Sequence, residues 1–411
     1  MKELNWNGEK MPDFSFTEEQ ELFRKTLRDF CEKKLAPKAK EIDEKREIPN
    51  DIIKGMANLG LLAMTVSPDY GGAGAGFTMA AIAAEELARA DNSVATAVLF
   101  LVESAWGYIF DRYGTKKAKE EILPKVTSGK AFLGIGSTEP DAGSDIAALK
   151  MTAKKERNVY ILNGEKAYIS GIKEVQRYGG GYVTVTKTAP ELGHKGMTLF
   201  YVPFDTQGIS PTAILDNMGR MGISTGGFHA QNARIPEHYV IGEVNRGFYH
   251  AMEGFNCARV LVAAACVGAA QRALELGIDY IKQRKAFGRP IGKFEGIQFQ
   301  LADDYAKLEC ARLLIYKSAW MLDEFQTKGR FTHHDLNKAI ASAKLYAGTT
   351  AFDIYKDVML WHGAIGYTKD YPLERGLRGV MSYIVGAEGA QNIMRLILAR
   401  ELLGDEFIPY K

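Results

Sequence analysis

Apolar residues recur at helical spacing through the first third of the chain, with polar residues between them. The first run follows intervals close to one helical turn and comprises Leu22, Phe23, Leu27, Phe30 and Leu35. Thr17 precedes this run and Gln20 follows three residues later, which is the spacing of a capping box at a helix start. Asp91 interrupts a later helical pattern, before a further apolar helix expected over residues 93–108. The pattern predicts an N-terminal helical domain over residues 1–131.

Short runs rich in β-branched and aromatic residues replace the helical pattern near residue 132. The strand candidates are residues 159–162, 166–170, 181–186, 197–202 and 228–235. Asn163-Gly164 lies between the first two runs and is typical of a type I′ hairpin turn, because such a turn requires positive φ angles. No crossover helices separate the strands, which argues against a dinucleotide-binding Rossmann sheet. We therefore expect a small middle β domain over residues 132–245.

Helical spacing returns from about residue 246 to the end of the chain. One long pattern covers Val260 to Arg284, and two more include Leu308 to Leu322 and Leu336 to Ile354. A fourth ends near residue 400. Four long antiparallel helices of this kind form a bundle, so residues 246–411 are a C-terminal helical bundle domain. The fold class expected for the whole chain is α+β.

Composition narrows the classes of function. The net charge of +2 and the mixing of basic with acidic residues leave no electrostatic footprint for nucleic acid. The four cysteines, Cys31, Cys257, Cys266 and Cys310, show no metal-ligand spacing, and neither do the histidines, so we expect buried, reduced thiols and no metal. Residues 1–14 are polar, unlike a signal peptide, and the apolar run Val260–Ala270 is too short to cross a bilayer. A cytoplasmic protein without membrane insertion is expected.

Glu388 is the first candidate for catalysis. It is a single carboxylate among small and apolar residues, directly before a helical pattern that includes Ile393 and Leu396. Desolvation in such surroundings raises the pKa of a carboxyl group, which suits a general base. A glutamate at a helix start, close to the positive end of the helix dipole, would leave the same pattern. Both interpretations stay open from these residues alone.

Several motifs in a fixed order resemble those of the acyl-CoA dehydrogenase family. They are Thr138-Glu139-Pro140-Asp141-Ala142-Gly143-Ser144-Asp145, Leu162-Asn163-Gly164-Glu165-Lys166-Ala167-Tyr168-Ile169-Ser170, Arg284-Lys285-Ala286-Phe287-Gly288-Arg289-Pro290-Ile291 and Glu388-Gly389. The resemblance covers the chain from about residue 14 onward. It implies an N-terminal α-domain, a β-barrel-like middle domain and a C-terminal four-helix bundle, usually assembled as a homotetramer. It also implies FAD as cofactor, an acyl-CoA substrate and electron-transferring flavoprotein or a similar acceptor.

The resemblance assigns roles to individual positions. Glu388 matches the base that takes the proton alpha to the thioester, while the flavin takes a hydride from the beta carbon. The positions matching flavin contacts are Ile135, Ser137, Thr138, Tyr168, Ile169 and Ser170. Arg284 and Phe287 match residues that reach the FAD of a neighbouring subunit. Those matching substrate contacts are Ser144 at the thioester arm, Arg259 in the CoA channel, and Ala387 and Gly389 beside the base.

Departures from the family pattern point to the acyl group. Ala387 replaces the tyrosine that usually precedes the base, and Ala390 is also small, so the site should be open. Asp91 is either an N-cap or a second acid facing a ring-shaped acyl group. As a second acid it would serve a 1,4-elimination on a cyclohexene-carboxyl thioester. An alicyclic acyl-CoA is therefore the preferred substrate, and ordinary alpha,beta-dehydrogenation of a short or branched acyl-CoA by Glu388 is the alternative.

Two other functions fit the same fold. A flavin oxidase or monooxygenase would use oxygen, although Glu388 and the Thr138-Glu139-Pro140 turn favour the dehydrogenase. A scaffold member would have lost catalysis and would purify without the yellow colour of flavin.

Overall fold

The computed structural model of the chain describes residues 15–408, so the polar segment of residues 1–14 lies outside it. The helices of the N-terminal part are α1 (Glu18–Phe30), α2 (Ala39–Lys45), α3 (Asn50–Asn58), α4 (Phe77–Ala90), α5 (Ala95–Tyr113) and α6 (Lys116–Thr127). The capping box at α1 is confirmed, because Thr17 Oγ1 accepts from Gln20 N at 3.2 Å and Gln20 Oε1 accepts from Thr17 N at 3.0 Å. The helix that Asp91 was expected to interrupt does end there, at Ala90.

A mixed sheet forms the middle of the molecule. Its strands are β1 (Phe132–Gly136), β2 (Thr152–Glu156), β3 (Val159–Ser170), β4 (Gly180–Lys187), β5 (Met197–Pro203), β6 (Ile209–Pro211), β7 (Thr225–Pro236) and β8 (Val240–Ile241). The order is β6-β7-β3-β2-β4-β5-β8, with β1 parallel to β4 at the side. A short helix, α7 (Ile172–Tyr178), follows β3. The expected β class is confirmed, and the strands are joined without the regular crossover helices of a Rossmann sheet.

The predicted hairpin at Asn163-Gly164 is wrong. Residues 159–170 form one continuous strand, and the register against β7 shifts between Leu162 and Gly164. A Cβ on Gly164 would lie 2.7 Å from Met151 Cα, so glycine is required for the close approach of two backbones. The glycine therefore marks a β-bulge, which has the same sequence signal as a turn.

Five helices form the C-terminal part. They are α8 (Gly247–Gln283), α9 (Glu295–Lys328), α10 (His333–His362), α11 (Leu373–Val385) and α12 (Gln391–Leu403), with a two-stranded hairpin of β9 (Lys285–Ala286) and β10 (Arg289–Pro290) after α8. The expected long helices α8, α9 and α10 are present. The expected fourth helix after Gly389 is α12, and a further helix, α11, precedes it, separated from it by residues 386–390. The break therefore falls at Glu388, where small residues permit backbone conformations that a helix excludes.

The N-terminal helices pack closely on α8. A Cβ on Gly268 would lie 2.0 Å from Glu85 O of α4, and one on Gly254 would lie 2.5 Å from Trp106 Cζ3 of α5. By length and composition α8 is apolar enough to cross a membrane, but most of its apolar stretch is buried inside the protein. It therefore serves as the central helix of the core and carries Arg259 into the interior.

The cysteines are free thiols, and three of them are buried as expected. Cys310 is exposed, so the prediction was wrong for that residue, which lies on the outer face of α9.

Candidate active site

Glu388 lies in the turn between α11 and α12, in an unusual backbone conformation. Its φ is 56° and that of Gly389 is 107°, so two successive residues have positive φ angles. A non-glycine residue in this region costs about 1–2 kcal/mol and persists only where its surroundings hold it. The small residues of the turn, Gly386, Ala387 and Ala390, leave the partly buried Glu388 side chain accessible.

Two buried cations hold the backbone of this turn. Arg259 from α8 donates through Nε to Glu388 O at 2.9 Å, and through a second guanidinium nitrogen to Asn256 Oδ1 at 2.9 Å. Lys344 from α10 donates to Tyr383 O at 2.8 Å and also to Gly389 O. Both carbonyl groups around the base are therefore bound from inside the bundle. Hydrogen bonds from charged donors contribute about 1.5–3 kcal/mol each, enough to offset the backbone strain.

The electrostatics of the site favour a proton acceptor. Burial raises the pKa of Glu388 to about 7, although the charges of Arg259, Lys344 and Arg220 oppose that rise. Burial also lowers the pKa of Lys344 to about 8 and that of Arg259 to about 10. Within residues 15–408, the Glu388 carboxylate has no hydrogen-bond partner, and neither does its backbone N–H. The carboxyl group can therefore exchange a proton near neutral pH, with a free backbone donor beside it.

The turn after β1 is fixed by a buried ion pair. Lys166 Nζ donates to Glu139 Oε1 at 2.9 Å and to Ser137 O at 3.1 Å. Glu139 also accepts from the backbone of Lys150 and Met151, at 2.6 and 2.9 Å. A buried pair satisfied in this way fixes local geometry more than it adds stability. Its effect is to hold the Ser137-Thr138 segment rigid while both hydroxyl groups stay partly exposed.

The end of β3 lies directly beside that turn. Ala167 N donates to Thr138 O at 2.9 Å, and the strand register shifts between Lys166 and Ile169. This irregularity gives Tyr168 a φ of 56° and leaves its ring 64% exposed. Ile169 is buried, so its side chain belongs to the core.

Ser137, Thr138 and Ser170 present three partly exposed hydroxyl groups beside an exposed aromatic ring. Within residues 15–408, none of the three donates a hydrogen bond to another residue. A flat heteroaromatic ring with acceptors along its edge, such as an isoalloxazine, fits such a set of donors and an aromatic face. The turn after β1, with Ile135, Ser137 and Thr138, thus lies beside the end of β3 that carries Tyr168 and Ser170, and their assignment to the flavin stays a prediction.

Arg220 connects this place to Glu388. It lies between β6 and β7 and donates to Ser170 Oγ at 3.1 Å and to Thr225 Oγ1 at 3.2 Å. Its charge interacts with Glu388 and with Tyr383, whose buried hydroxyl has no partner within the described residues. The region predicted to hold the flavin and the predicted base therefore share one cation.

The geometry gives Asp91 a structural role at the start of α5, although Val94 holds the N-cap position itself. It does not support a role as a second acid. The side chain is completely buried. One carboxylate oxygen accepts from Ser93 N and Oγ at 3.2 and 2.6 Å, and the other accepts from Thr96 N and Oγ1 at 3.1 and 2.8 Å. Four donors at the start of α5 occupy the lone pairs that a base would need. The predicted role of Asp91 in proton removal therefore requires correction to a structural one.

The remaining predicted residues lie elsewhere. Ser144 is exposed on the loop after the Ser137-Thr138 turn. Arg284 and Phe287 are exposed at the far end of α8, with Phe287 95% accessible. At 1.5 Å per residue, Arg284 is about 37 Å along the helix from Arg259. Arg284 and Phe287 therefore lie far from the base of the same chain, and their assignment to the FAD of a neighbouring subunit stays a prediction.

Three features of the site were not predicted from the sequence: Lys344, Arg220 and the role of Arg259 in holding the base. Lys344 had a signal, because it interrupts the apolar stripe of α10 between Ile340 and Ala347. Arg220 had none, since it lies in a loop without periodicity. Within the described part of the chain, no three histidine, cysteine or acidic side chains converge as metal ligands.

Family profiles match nearly the whole described chain. The acyl-CoA dehydrogenase N-terminal domain matches residues 17–130, the middle domain residues 134–233 and the C-terminal domain residues 245–403. The chain therefore belongs to the acyl-CoA dehydrogenase family. It is a flavin-dependent oxidoreductase of the class that acts on CH–CH groups of acyl-CoA thioesters, with FAD as its cofactor.

Individual relatives cover almost the full chain. A 3-(aryl)acrylate reductase of Clostridium sporogenes is 37% identical over 388 residues, 94% of this chain and 99% of that protein. A mitochondrial isobutyryl-CoA dehydrogenase of Dictyostelium discoideum is 34% identical over 398 residues, 96% of this chain and 92% of that protein. The solved structure of butyryl-CoA dehydrogenase from Megasphaera elsdenii superposes with a TM-score of 0.87 at 30% identity, covering 95% of this chain and 100% of the other.

Proposed function

We propose that Glu388 is the base of an alpha,beta-dehydrogenation of a CoA thioester. It takes the proton from the alpha carbon, and bound FAD would supply the acceptor for the hydride from the beta carbon, so that a carbon–carbon double bond forms. The observation that carries this proposal is the free Glu388 carboxyl group with its pKa raised to about 7. A base with this pKa is about half ionised at neutral pH and accepts a proton readily.

The residues around Glu388 provide the rest of the proton chemistry. The Glu388 N–H, which has no acceptor within residues 15–408, is available to the thioester carbonyl oxygen. A donor there stabilises the negative charge that develops when the alpha proton leaves. Arg259 and Lys344 hold the turn so that this N–H and the carboxylate keep one relative orientation. FAD supplies the hydride acceptor, and Ser137, Thr138, Tyr168 and Ser170 are the residues we assign to its flavin ring.

We further propose a ring-bearing acyl group, with an alicyclic acyl-CoA as the preferred substrate. The small side chains of Ala387 and Ala390 flank the base and leave room for a group wider than a straight chain. The relative from Clostridium sporogenes, a 3-(aryl)acrylate reductase, bears a name that implies a ring on its substrate. Short and branched acyl groups are the second candidate, favoured by the isobutyryl- and butyryl-CoA relatives. A 1,4-elimination through Asp91 is not part of the proposal, because its four hydrogen bonds occupy both oxygens.

The proposed setting is a cytoplasmic homotetramer that passes electrons to electron-transferring flavoprotein or a similar acceptor. Large exposed apolar side chains on the C-terminal helices and their connections support subunit contacts there. They include Phe287, Leu360, Tyr367 and Leu402. Light scattering of the purified protein distinguishes a tetramer from a monomer, and Leu360→Glu is expected to weaken the assembly.

The test of the substrate is a panel of straight, branched and cyclic acyl-CoAs mixed with the yellow enzyme without oxygen. Bleaching of the flavin by cyclic thioesters faster than by straight ones supports the ring-bearing group. Preferential bleaching by butyryl- or isobutyryl-CoA would instead favour the second candidate. Rapid reoxidation of the reduced flavin by oxygen alone would assign the chain to the oxidases.

A further inference from the structure

Arg220 lies where the N-terminal helices, the middle sheet and the C-terminal helices meet. Its backbone has a φ of 50°, a left-handed conformation for a residue other than glycine. The glycines on either side leave no room for a side chain. A Cβ on Gly219 would lie 2.3 Å from Arg378 O of α11, and one on Gly222 would lie 2.3 Å from Ile42 Cγ2 of α2. The loop that carries Arg220 is thus fixed against two helices, and the guanidinium group is directed at Ser170.

The contact with Arg220 determines where the hydroxyl group of Ser170 can donate its hydrogen. A guanidinium group can only donate, so Ser170 Oγ is the acceptor in the 3.1 Å bond from Arg220. The serine hydroxyl keeps one hydrogen to donate, and no residue among 15–408 accepts it. A hydroxyl that accepts from a cation is also a stronger donor, because hydrogen bonds in a chain polarise one another. Ser170 therefore offers a strengthened donor toward the site assigned to the flavin.

The charge of Arg220 also acts on the base. The groups facing Glu388 are Arg259 of α8, Lys344 of α10, Tyr383 of α11 and Arg220 itself. Asp91 acts on Tyr383 from the start of α5. During the proposed reaction Glu388 gains a proton and loses its negative charge, and bound FAD would be the hydride acceptor. A fixed cation between these two places stabilises the electron-rich ring when the carboxylate is neutralised.

We propose that Arg220 is a positioning residue that directs the Ser170 hydroxyl to the flavin ring and raises the reduction potential of the bound FAD. The proposal rests on the assignment of Ser170 to the flavin in the proposed function. It adds a single residue that acts on both the hydride acceptor and the base. Thr225, which accepts the second donor at 3.2 Å, keeps the guanidinium plane fixed.

The test is the midpoint potential of the bound FAD, measured by equilibration with a reference dye and without any acyl-CoA. Arg220→Met removes the charge and the donor, and the ratio of reduced to oxidised flavin at a fixed potential should fall about tenfold. This equals about 30 mV for a two-electron couple. Arg220→Lys keeps the charge, so its midpoint potential should lie between those of Arg220→Met and the wild type. Arg234→Met is the matched control, because Arg234 is an exposed arginine on β7 paired with Glu156, and it should leave the potential unchanged.

Ser170→Ala provides the independent variant. It removes the hydroxyl and leaves Arg220 charged, so the midpoint potential should fall. The double variant with Arg220→Met should have a potential that is lowered by less than the sum of the two single-variant shifts. Unchanged potentials in Arg220→Met and Ser170→Ala, each with full FAD content, would overturn the proposal. If Arg220→Met does not fold or load FAD, Ser170→Ala and Arg220→Lys decide by the same criterion. Because no substrate is present, a wild-type enzyme that no acyl-CoA reduces would contradict the proposed function and leave this comparison intact.

Discussion

Replacing Lys344 with methionine tests how the bundle holds the base. Methionine has a similar length and fills the same buried space, but it cannot donate to Tyr383 O or Gly389 O. The ammonium group is almost completely buried, with its residue 2% exposed, so water cannot easily replace it. Each carbonyl left without a donor costs about 1–3 kcal/mol, partly offset because burying the lysine charge no longer costs energy. We expect the free energy of unfolding to fall by about 2 kcal/mol.

The same substitution shifts the pH dependence of catalysis. Lys344 is one of three cations that hold the pKa of Glu388 down against burial, so its loss raises that pKa above its value of about 7. A base works in its deprotonated form, and the acid limb of kcat against pH should therefore move to higher pH. If the pKa rises by about one unit, the ionised fraction at pH 7 falls from one half to roughly a tenth.

The assay is a pH series of flavin reduction by the best acyl-CoA of the panel, together with urea unfolding. Lys344→Arg keeps a charge and donors and should recover part of both effects. Lys338→Met, on the exposed side of the same helix beside Asp335, is the control and should change neither. A Lys344→Met enzyme with the wild-type acid limb and wild-type stability would refute the claim that Lys344 anchors and tunes the base.

Two further predictions separate structural from catalytic carboxylates. Burial raises the folded-state pKa of Glu388 from 4.5 to about 7, so the folded state binds more protons between these values and stability falls as pH rises through that window. Glu388→Gln should therefore be more stable than wild type at pH 8, by at most about 3 kcal/mol in the free energy of unfolding, and should unfold at a higher temperature there. At pH 4 the two proteins should unfold at nearly the same temperature. An equal difference at both pH values in calorimetry would contradict the raised pKa. Asp91→Ala should lose about 2–4 kcal/mol of stability because Ser93 and Thr96 lose their acceptor, while flavin reduction at low temperature persists. Folded Asp91→Ala protein that cyclic thioesters no longer reduce would restore its role as an acid.

The elements of the fold follow closely from periodicity, because helices α8 to α10 and strands β4, β5 and β7 carry unbroken patterns. Asn163-Gly164 misled the prediction, since a hairpin turn and a β-bulge use the same residues. Which of the two forms depends on the neighbouring backbone at Met151, and that contact is not local in sequence.

The candidate site was only partly predictable for the same reason. Glu388 and the Ser137-Thr138 turn could be found from motifs that the family preserves in order. Lys344 binds the carbonyl oxygen of Gly389, 45 positions further along the chain, and Arg220 reaches Ser170 from a position 50 residues away. The break that Lys344 makes in the apolar stripe of α10 does not reveal which carbonyl groups its long side chain reaches, and Arg220 lies in a loop without periodicity. Asp91 showed the reverse, because a capping aspartate and a catalytic one look alike until their partners are known.

The proposed reaction depends most on Glu388 as the proton acceptor. The direct measurement is the rate of flavin reduction by a bleaching acyl-CoA in wild type and in Glu388→Gln, in rapid-mixing experiments without oxygen. Both proteins should contain one FAD per chain and bind the thioester, and the variant should reduce its flavin at least a thousandfold more slowly, about 4 kcal/mol of barrier. Flavin reduction in Glu388→Gln within tenfold of wild type would contradict the assignment and place the base elsewhere in the site.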